Sequence, residues 1–152
     1  MKQYRRWTKL TMVTDNATHL IAGLSVRQGP SNDAPDFLPT LRQAVGHLPI
    51  DQLLADGAYD AEEHHRCCRR ELGIRHTVIP VNDRGFRRPP HGRYRRQMAK
   101  RFPRHVFGQR WQVESVISRM KRRLGSDLRS RTEDSRLVEC CVRVLTHDLM
   151  IL

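Results

Sequence analysis

Apolar and polar residues alternate along residues 7–14 (WTKLTMVT), and the alternation returns over 19–27 (HLIAGLSVR) after an Asp-Asn-Ala-Thr segment suited to a turn. That is the pattern of two antiparallel strands. The turn-forming cluster GPSNDAPD follows, and then Phe37, Leu38, Leu41, Ala44, Val45 and Leu48 recur at helical spacing, which predicts a helix over about 35–46. A short apolar run, QLLA at 52–55, stops at Asp56-Gly57; residues 61–72 read as a helix and 75–80 (RHTVIP) as a further strand. Strands and helices in this order predict an α/β domain with a mixed sheet flanked by helices.

Residues 82–103 break the pattern. Gly85, Pro89, Pro90, Gly92 and Pro103 are scattered through a run of Arg and Lys, which predicts a basic, flexible loop. Two helices close the chain, at about 104–123 and about 133–151. The second opens on Ser130-x-x-Glu133, a capping-box spacing, and carries Leu137, Val138, Cys141, Val144, Leu145, Leu149 and Leu152 as one apolar stripe. With 152 residues, no internal repeat and no linker between compositionally distinct halves, one domain with one core is expected.

Charge narrows the partner. Lys and Arg number 28 against 16 acidic residues, a net charge of +12, and most of the cations are Arg, whose fork matches phosphate geometry. A polyanion, and nucleic acid in particular, is the partner such a surface favours, because neutralising phosphates releases condensed counterions. No stretch approaches the roughly 20 uninterrupted apolar residues of a membrane helix, and MKQYRRW lacks the apolar core of a signal peptide; a soluble, cytoplasmic protein is expected. The four cysteines form the adjacent pairs Cys67-Cys68 and Cys140-Cys141, neither a zinc-knuckle spacing nor a disulfide framework. Both pairs fall in predicted helices and read as small apolar filler. Adjacent ligands on a helix point in different directions, so His64, His65 and Cys67 are not expected to hold a metal.

Candidate chemistry is concentrated in FGQRWQVESVISRMKRR, residues 107–123. At about 100° per residue, Phe107, Arg110, Glu114 and Lys121 fall within a sector of roughly 60°, beside an apolar stripe of Val113, Val116, Ile117, Met120 and Leu124. An ordinary amphipathic helix with a stabilising Arg110/Glu114 pair gives the same pattern. Asp56 sharpens the alternative: it ends an apolar strand and precedes Gly57, the position at which open sheets with helices present ligands, although a plain turn Asp also fits there. A strand-end carboxylate converging with a helix carboxylate supplies the hard oxygen ligands that Mg²⁺ prefers, and paired ions of this kind stabilise the attacking and leaving oxygens of phosphoryl transfer. Arg110 and Lys121 would then meet phosphate, and Val116 and Met120 would be buried.

Phe107-x2-Arg110-x3-Glu114-x6-Lys121 resembles the Tyr-x2-Arg-x3-Glu-x6-Lys signature around the catalytic Glu of DDE-type transposases of bacterial insertion sequences, with Phe in place of Tyr. LLADGAYDA (53–61) looks like the family's second-Asp motif, with Asp56 as metal ligand and Tyr59-Asp60 opening the next helix. Residues 7–37 resemble its strand pair and Gly-x-x-x-Asp turn, here Gly29 to Asp33. The likeness runs from about Arg6 to about Leu145.

The resemblance implies an RNase H-like fold, Mg²⁺ (or Mn²⁺) held by carboxylates that include Asp56 and Glu114, and cleavage and strand transfer at transposon ends. DNA, both transposon ends and target, is the implied partner, bound by the basic segment 84–104 and by Arg110, Lys121, Arg122 and Arg123; a homodimer is a further implication. The family's first Asp lies on a strand upstream of a segment like Arg5-Arg6-Trp7. This chain is therefore expected to be a partial catalytic domain with its first strand missing. Asp15, the one acidic residue within the strand pair, matches a turn Asp of the family. The alternative reading is a non-catalytic DNA-binding or regulatory fragment of a transposase; a nuclease of the same fold, cutting without strand transfer, uses the same metal chemistry.

Overall fold

The computed structural model describes residues 7–82 and 89–152. Strands β1 (Trp7–Thr14) and β2 (Ile21–Gly29) form the expected antiparallel hairpin, Trp7 opposite Gly29, with a register shift at Val13/Thr14. Asp15 closes the turn: its carboxylate accepts from the Thr18 hydroxyl at 2.6 Å and the Thr18 and Ala17 amides at 3.0 and 3.4 Å. These bonds, the Thr18 hydroxyl foremost, hold its pKa below the usual carboxylate value. Helix α1 (Ala34–His47) has a Pro in its first turn and buries Phe37, Leu41 and Ala44, the face its spacing predicts. Gly23 of β2 lets α1 lie close, since a Cβ there would overlap the Thr40 carbonyl oxygen.

Parallel strands β3 (Gln52–Leu54) and β4 (His76–Val78) follow, joined through a 3₁₀ turn (Gly57–Tyr59) and helix α2 (Glu62–Arg66). Helix α2 widens into a π turn over Cys67–Glu71, where the Leu72 amide reaches back to the Cys67 carbonyl. The single mixed sheet expected from sequence is corrected here. Among the described residues the strands form two separate two-stranded sheets, one antiparallel and one parallel. Between them lies a groove of about 720 Å³ lined by residues 10–16 of β1 and its turn and by residues 48–56 around β3.

The basic segment is also more ordered than its composition predicts. Helix α3 (Arg93–Lys100) lies within it, while the expectation for residues 84–88 falls outside the described residues. Two acidic groups hold α3 in place. Glu62 accepts from the Tyr94 and Arg95 amides, and Arg95 grips the buried Asp60 with both arms of its fork, at 2.8 and 2.6 Å. Gly92, at φ +95°, is required at the entry because a Cβ there would collide with the Glu62 carboxylate.

The predicted helix at 104–123 is three pieces, α4 (Arg104–Phe107), a 3₁₀ turn (Gly108–Arg110) and α5 (Trp111–Leu124). Helix α6 (Glu133–Leu149) is capped by Thr132, whose hydroxyl accepts from the Ser135 amide at 3.2 Å, so the cap lies two residues beyond the Ser130 that the spacing suggested. A larger correction concerns its packed face. Cys140 and His147 are buried and Val144 packs on the core, whereas Leu137, Val138, Cys141, Leu145, Leu149 and Leu152 are exposed.

The core has two centres. Phe37, Leu41, Leu53, Ala55, Cys68, Ile74 and Ile79 join α1 to the parallel pair. Ile21, Val116 and Met120, with Met12 and Val144, join the hairpin to α5 and α6. Cys67, Cys68 and Cys140 are buried free thiols in the filler role expected of them. Among the described residues, no helix is long and apolar enough to cross a membrane.

Candidate active site

Asp56 follows directly on the parallel pair: the Ala55 amide bonds to the Val78 carbonyl and extends the ladder by one residue. Its backbone is still extended, and its Oδ1 accepts from the Ala58 amide at 3.1 Å, capping the 3₁₀ turn. Asp56 is thus a turn Asp by one oxygen. Its other oxygen, Oδ2, lies 3.5 Å from Nη1 of Arg110.

Arg110 ends the 3₁₀ turn that leads into α5, and its second arm, Nη2, donates to Oε1 of Glu114 at 2.8 Å. One guanidinium therefore touches both carboxylates that the sequence singled out, although 54 positions separate Asp56 from Arg110. The Arg110 fork also lies 5.7 Å from the Phe107 ring centroid, and Phe107 packs edge-on against Phe102. Three of the four residues in the predicted sector of the helix, Phe107, Arg110 and Glu114, are thereby in mutual reach. Glu114 sits in the first turn of α5, where the helix dipole favours negative charge.

Both carboxylates face solvent, with side-chain exposures of 53% for Asp56 and 62% for Glu114 against 29% for Arg110. Water screens such contacts, so they contribute little to fold stability. Arg110, Asp56, Tyr59, Gln109, Val113 and Ile117 line one end of the groove between the two sheets. Lys121 and Arg122 line a shallower hollow of about 440 Å³ together with Glu114, Ile117 and Ser118. Glu114 therefore pairs with Arg110, which lines the groove, and shares the second hollow with Lys121 and Arg122. Arg123 is exposed beside them. Val116 and Met120 are buried beneath this face, at 0 and 8% exposure, as the helical spacing predicts.

Supporting contacts fix α5 to the hairpin. His19, in the left-handed region at φ +65°, accepts from Arg119 at Nδ1 (3.1 Å), which leaves the Nε2 proton to donate to Gln112 Oε1 at 2.8 Å. Tyr59 packs against Phe37, and burial pushes its phenol pKa up, opposed by a hydrogen bond with Thr11 of β1. Neither the His19 bridge nor the Asp60–Arg95 pair was singled out in the sequence: their partners lie 93, 100 and 35 residues away, and no local spacing announces such contacts. Asp15 lines the same groove, with its carboxylate bonded to Thr18 and Ala17 of its own turn.

Among the described residues, no three His, Cys, Asp or Glu side chains are grouped to hold a metal ion. Two carboxylates and one bridging Arg are what the fold assembles here. Comparison with curated proteins and with solved structures gives no match. The family model for the transposase DDE domain matches residues 1–149, which takes in the hairpin, both sheets, Asp56, Arg110 and Glu114. This chain belongs to the transposase DDE domain family.

Proposed function

We propose that Asp56 and Glu114 are two of the carboxylates of a divalent-cation centre for DNA cleavage and strand transfer at transposon ends, and that this chain has the RNase H-like fold of a transposase catalytic domain. The observation that carries the reading is the single Arg110 guanidinium touching both side chains. The donor set fits the ion. Mg²⁺ and Mn²⁺ take oxygen ligands, and Mg²⁺ commonly binds through one or two carboxylates while keeping several waters; Asp56 and Glu114 offer oxygen only and stand open to solvent. When bound, the metal would supply Lewis-acid stabilisation of the oxygens that attack and leave phosphorus.

The chain's own residues would do the rest. Arg110 holds the two carboxylates together and is placed to turn a fork toward a phosphate. Lys121, Arg122 and Arg123 offer further cations beside Glu114, and the segment 84–104 adds more along the DNA path. Work on DNA in a bacterial cell would place the protein in the cytoplasm.

A third carboxylate on a further strand would complete such a centre, and the groove between β1 and β3 has room for that strand. Each of these strands has a single ladder partner among the described residues, so each keeps an open backbone edge, and a strand between them needs about 4.8 Å to either side.

Mn²⁺ binding, followed by electron paramagnetic resonance on the full chain, tests the reading. Wild type should bind Mn²⁺ in competition with Mg²⁺, and Asp56→Asn or Glu114→Gln should each weaken binding at least tenfold with an unchanged circular dichroism spectrum. Equal Mn²⁺ binding by wild type and both variants would remove Asp56 and Glu114 from any metal centre. Salt-sensitive DNA binding indifferent to Mg²⁺ and to Glu114→Gln would instead leave the non-catalytic DNA-binding fragment, and cleavage of end DNA without joined products would leave the nuclease.

A further inference from the structure

The loop that joins α5 to α6, residues 125–132, is tied down along its backbone by side chains of α6. Glu139 accepts from the Arg129 amide at 3.1 and 3.0 Å and from the Ser130 amide at 2.9 Å. Arg143, one turn further along the helix, donates to the Gly125 and Asp127 carbonyls at 2.7 and 2.6 Å and to Glu139 at 2.7 Å. Arg136 adds a bond to the Ser130 carbonyl at 3.1 Å. The Glu139 and Arg143 side chains are each 17% exposed, so the clamp is largely shielded from water. A connecting loop ordinarily leaves its backbone to solvent; fixing this one costs chain entropy.

What the clamp holds still is a set of unpaired cations. Arg129 and Arg131 are exposed, and among the described residues neither side chain makes a hydrogen bond or ion pair. Lys121, Arg122 and Arg123, at the end of α5, are exposed just before them. Over residues 121–132 these five cations stand against one acid, Asp127, a net of +4. Glu133 and Asp134 come next, in the first turn of α6, where the helix dipole favours them. Like charges this close repel, and a loose loop would spread them; the fold instead concentrates them, which raises the local potential seen by a polyanion. The C-terminal end of α5 carries partial negative charge, and Arg143 offsets it by turning its fork onto the Gly125 and Asp127 carbonyls.

The loop also continues a surface already described. Lys121 and Arg122 share a hollow with Glu114, and the helix from Glu114 to Leu124 is about 15 Å long. Phosphates of one strand are spaced about 3.4 Å along a duplex. A duplex lying along α5 would therefore meet the loop roughly four or five base pairs from the phosphate beside Glu114.

We propose that loop 125–132 is a preformed phosphate-binding element that grips the backbone of duplex DNA through Arg129 and Arg131. Glu139 and Arg143 are its positioning residues, acting through the loop backbone. The element rests on the DNA partner of the function proposed above and deepens it: it adds two contacts remote from the carboxylates, which hold DNA and leave the metal centre untouched.

Fluorescence anisotropy of the full chain with a labelled random-sequence duplex, over a salt series, is the test. Arg129→Gln and Arg131→Gln should each flatten the dependence of log affinity on log salt by about 0.9 and weaken binding roughly five- to tenfold at 0.1 M salt, and the double variant should lose both contacts. Their urea midpoints and Mn²⁺ binding should equal those of wild type. Glu139→Ala should weaken binding with both cations still in place, and Glu139→Gln, which keeps an oxygen for the two amides, should recover most of the loss. An unchanged salt dependence in the double variant overturns the contact, as does a loss of affinity explained by a lowered urea midpoint. Equal binding by Glu139→Ala and wild type overturns the clamp. Flattened salt dependence in a chain whose Mn²⁺ binding ignores Asp56→Asn and Glu114→Gln would support this element and remove the metal centre alone.

Discussion

Removing the Asp60 carboxylate should loosen α3 from the body of the protein. The Asp60 side chain is 1% exposed and Arg95 21%, and two short charge-assisted hydrogen bonds join them. Asp60 also accepts from the Asn82 amide at 2.8 Å, so one carboxylate ties both the end of the β4 segment and the start of α3 to the turn that follows Asp56. Asp60→Ala strands a partly buried guanidinium and a backbone amide. Breaking a buried pair from one side costs about 3 to 5 kcal/mol, and the residual exposure of Arg95 puts the expected loss near the lower figure. Against a total stability of about 5–15 kcal/mol, that is a large fraction.

Replacing both partners should cost less than the sum of the single changes, because an apolar pair leaves no charge unpaired. Urea unfolding of Asp60→Leu, Arg95→Met and Asp60→Leu/Arg95→Met, followed by circular dichroism, gives the coupling energy, expected at about 1.5–3 kcal/mol. Trypsin supplies a local readout, since α3 carries Arg93, Arg95, Arg96 and Lys100: cleavage there should accelerate in Asp60→Ala under native conditions. A coupling energy below about 0.5 kcal/mol, or an unchanged tryptic pattern, would refute the claim that this pair anchors α3.

Acid should weaken the fold through His65. Burial pushes its imidazole down to about 4 from the usual 6.5, so between those values the unfolded chain binds a proton that the native state refuses; stability falls as pH drops through this window, by at most about 3 kcal/mol, and is indifferent to His65 above it. The urea midpoint of His65→Gln should vary less with pH across that window than that of wild type. Glu139 acts in the opposite sense: bonds from the Ser130 and Arg129 amides hold its pKa down to about 2, so its contribution is present above the ordinary 4.5 and is lost as pH falls toward 2, and a Glu139→Gln comparison should isolate it. Gly23→Ala should force β2 and α1 apart and cost about 1–3 kcal/mol of overpacking in urea unfolding. Thr132→Ala should remove the α6 cap at about 1 kcal/mol.

Period decided what could be read from the chain. Alternation over Trp7–Thr14 gives β1 to the residue, and the spacing of Phe37, Leu41 and Ala44 gives both α1 and its buried face. In α6 the same reasoning selects the wrong side, because apolar residues occupy two opposed stripes and periodicity does not say which one meets the body. Helix α3 is hidden for another reason: Arg-rich composition argues for a solvated loop, and the caps that order it, Glu62 and Asp60, lie about thirty residues upstream. The separation of the strands into two small sheets is likewise invisible to a reading that counts strands without pairing them. At the site, the Arg110–Glu114 contact follows from the i, i+4 rule alone. The approach of Asp56 to that pair has no helical-spacing signal; its place at the end of an apolar strand and the motif at 53–61 point to it.

The position of Arg110 ties these levels together. Two carboxylates held by one guanidinium repel, and each would rather stay hydrated than approach the other. A guanidinium between them offsets that repulsion, and it can do so only because β3 ends where the 3₁₀ turn before α5 begins, a meeting set by the Leu53–Ala55 core on one side and Val116–Met120 on the other. The fold therefore holds a pair of negative groups together with a displaceable positive one. A divalent cation in place of that guanidinium would match both negative charges, of which the guanidinium balances one, and would free an Arg fork beside them. Arg110→Ala accordingly separates the two roles: a pure surface pair predicts no change in Mn²⁺ affinity, whereas a cation centre guarded by its own arginine predicts tighter Mn²⁺ binding and weaker hold on DNA phosphate.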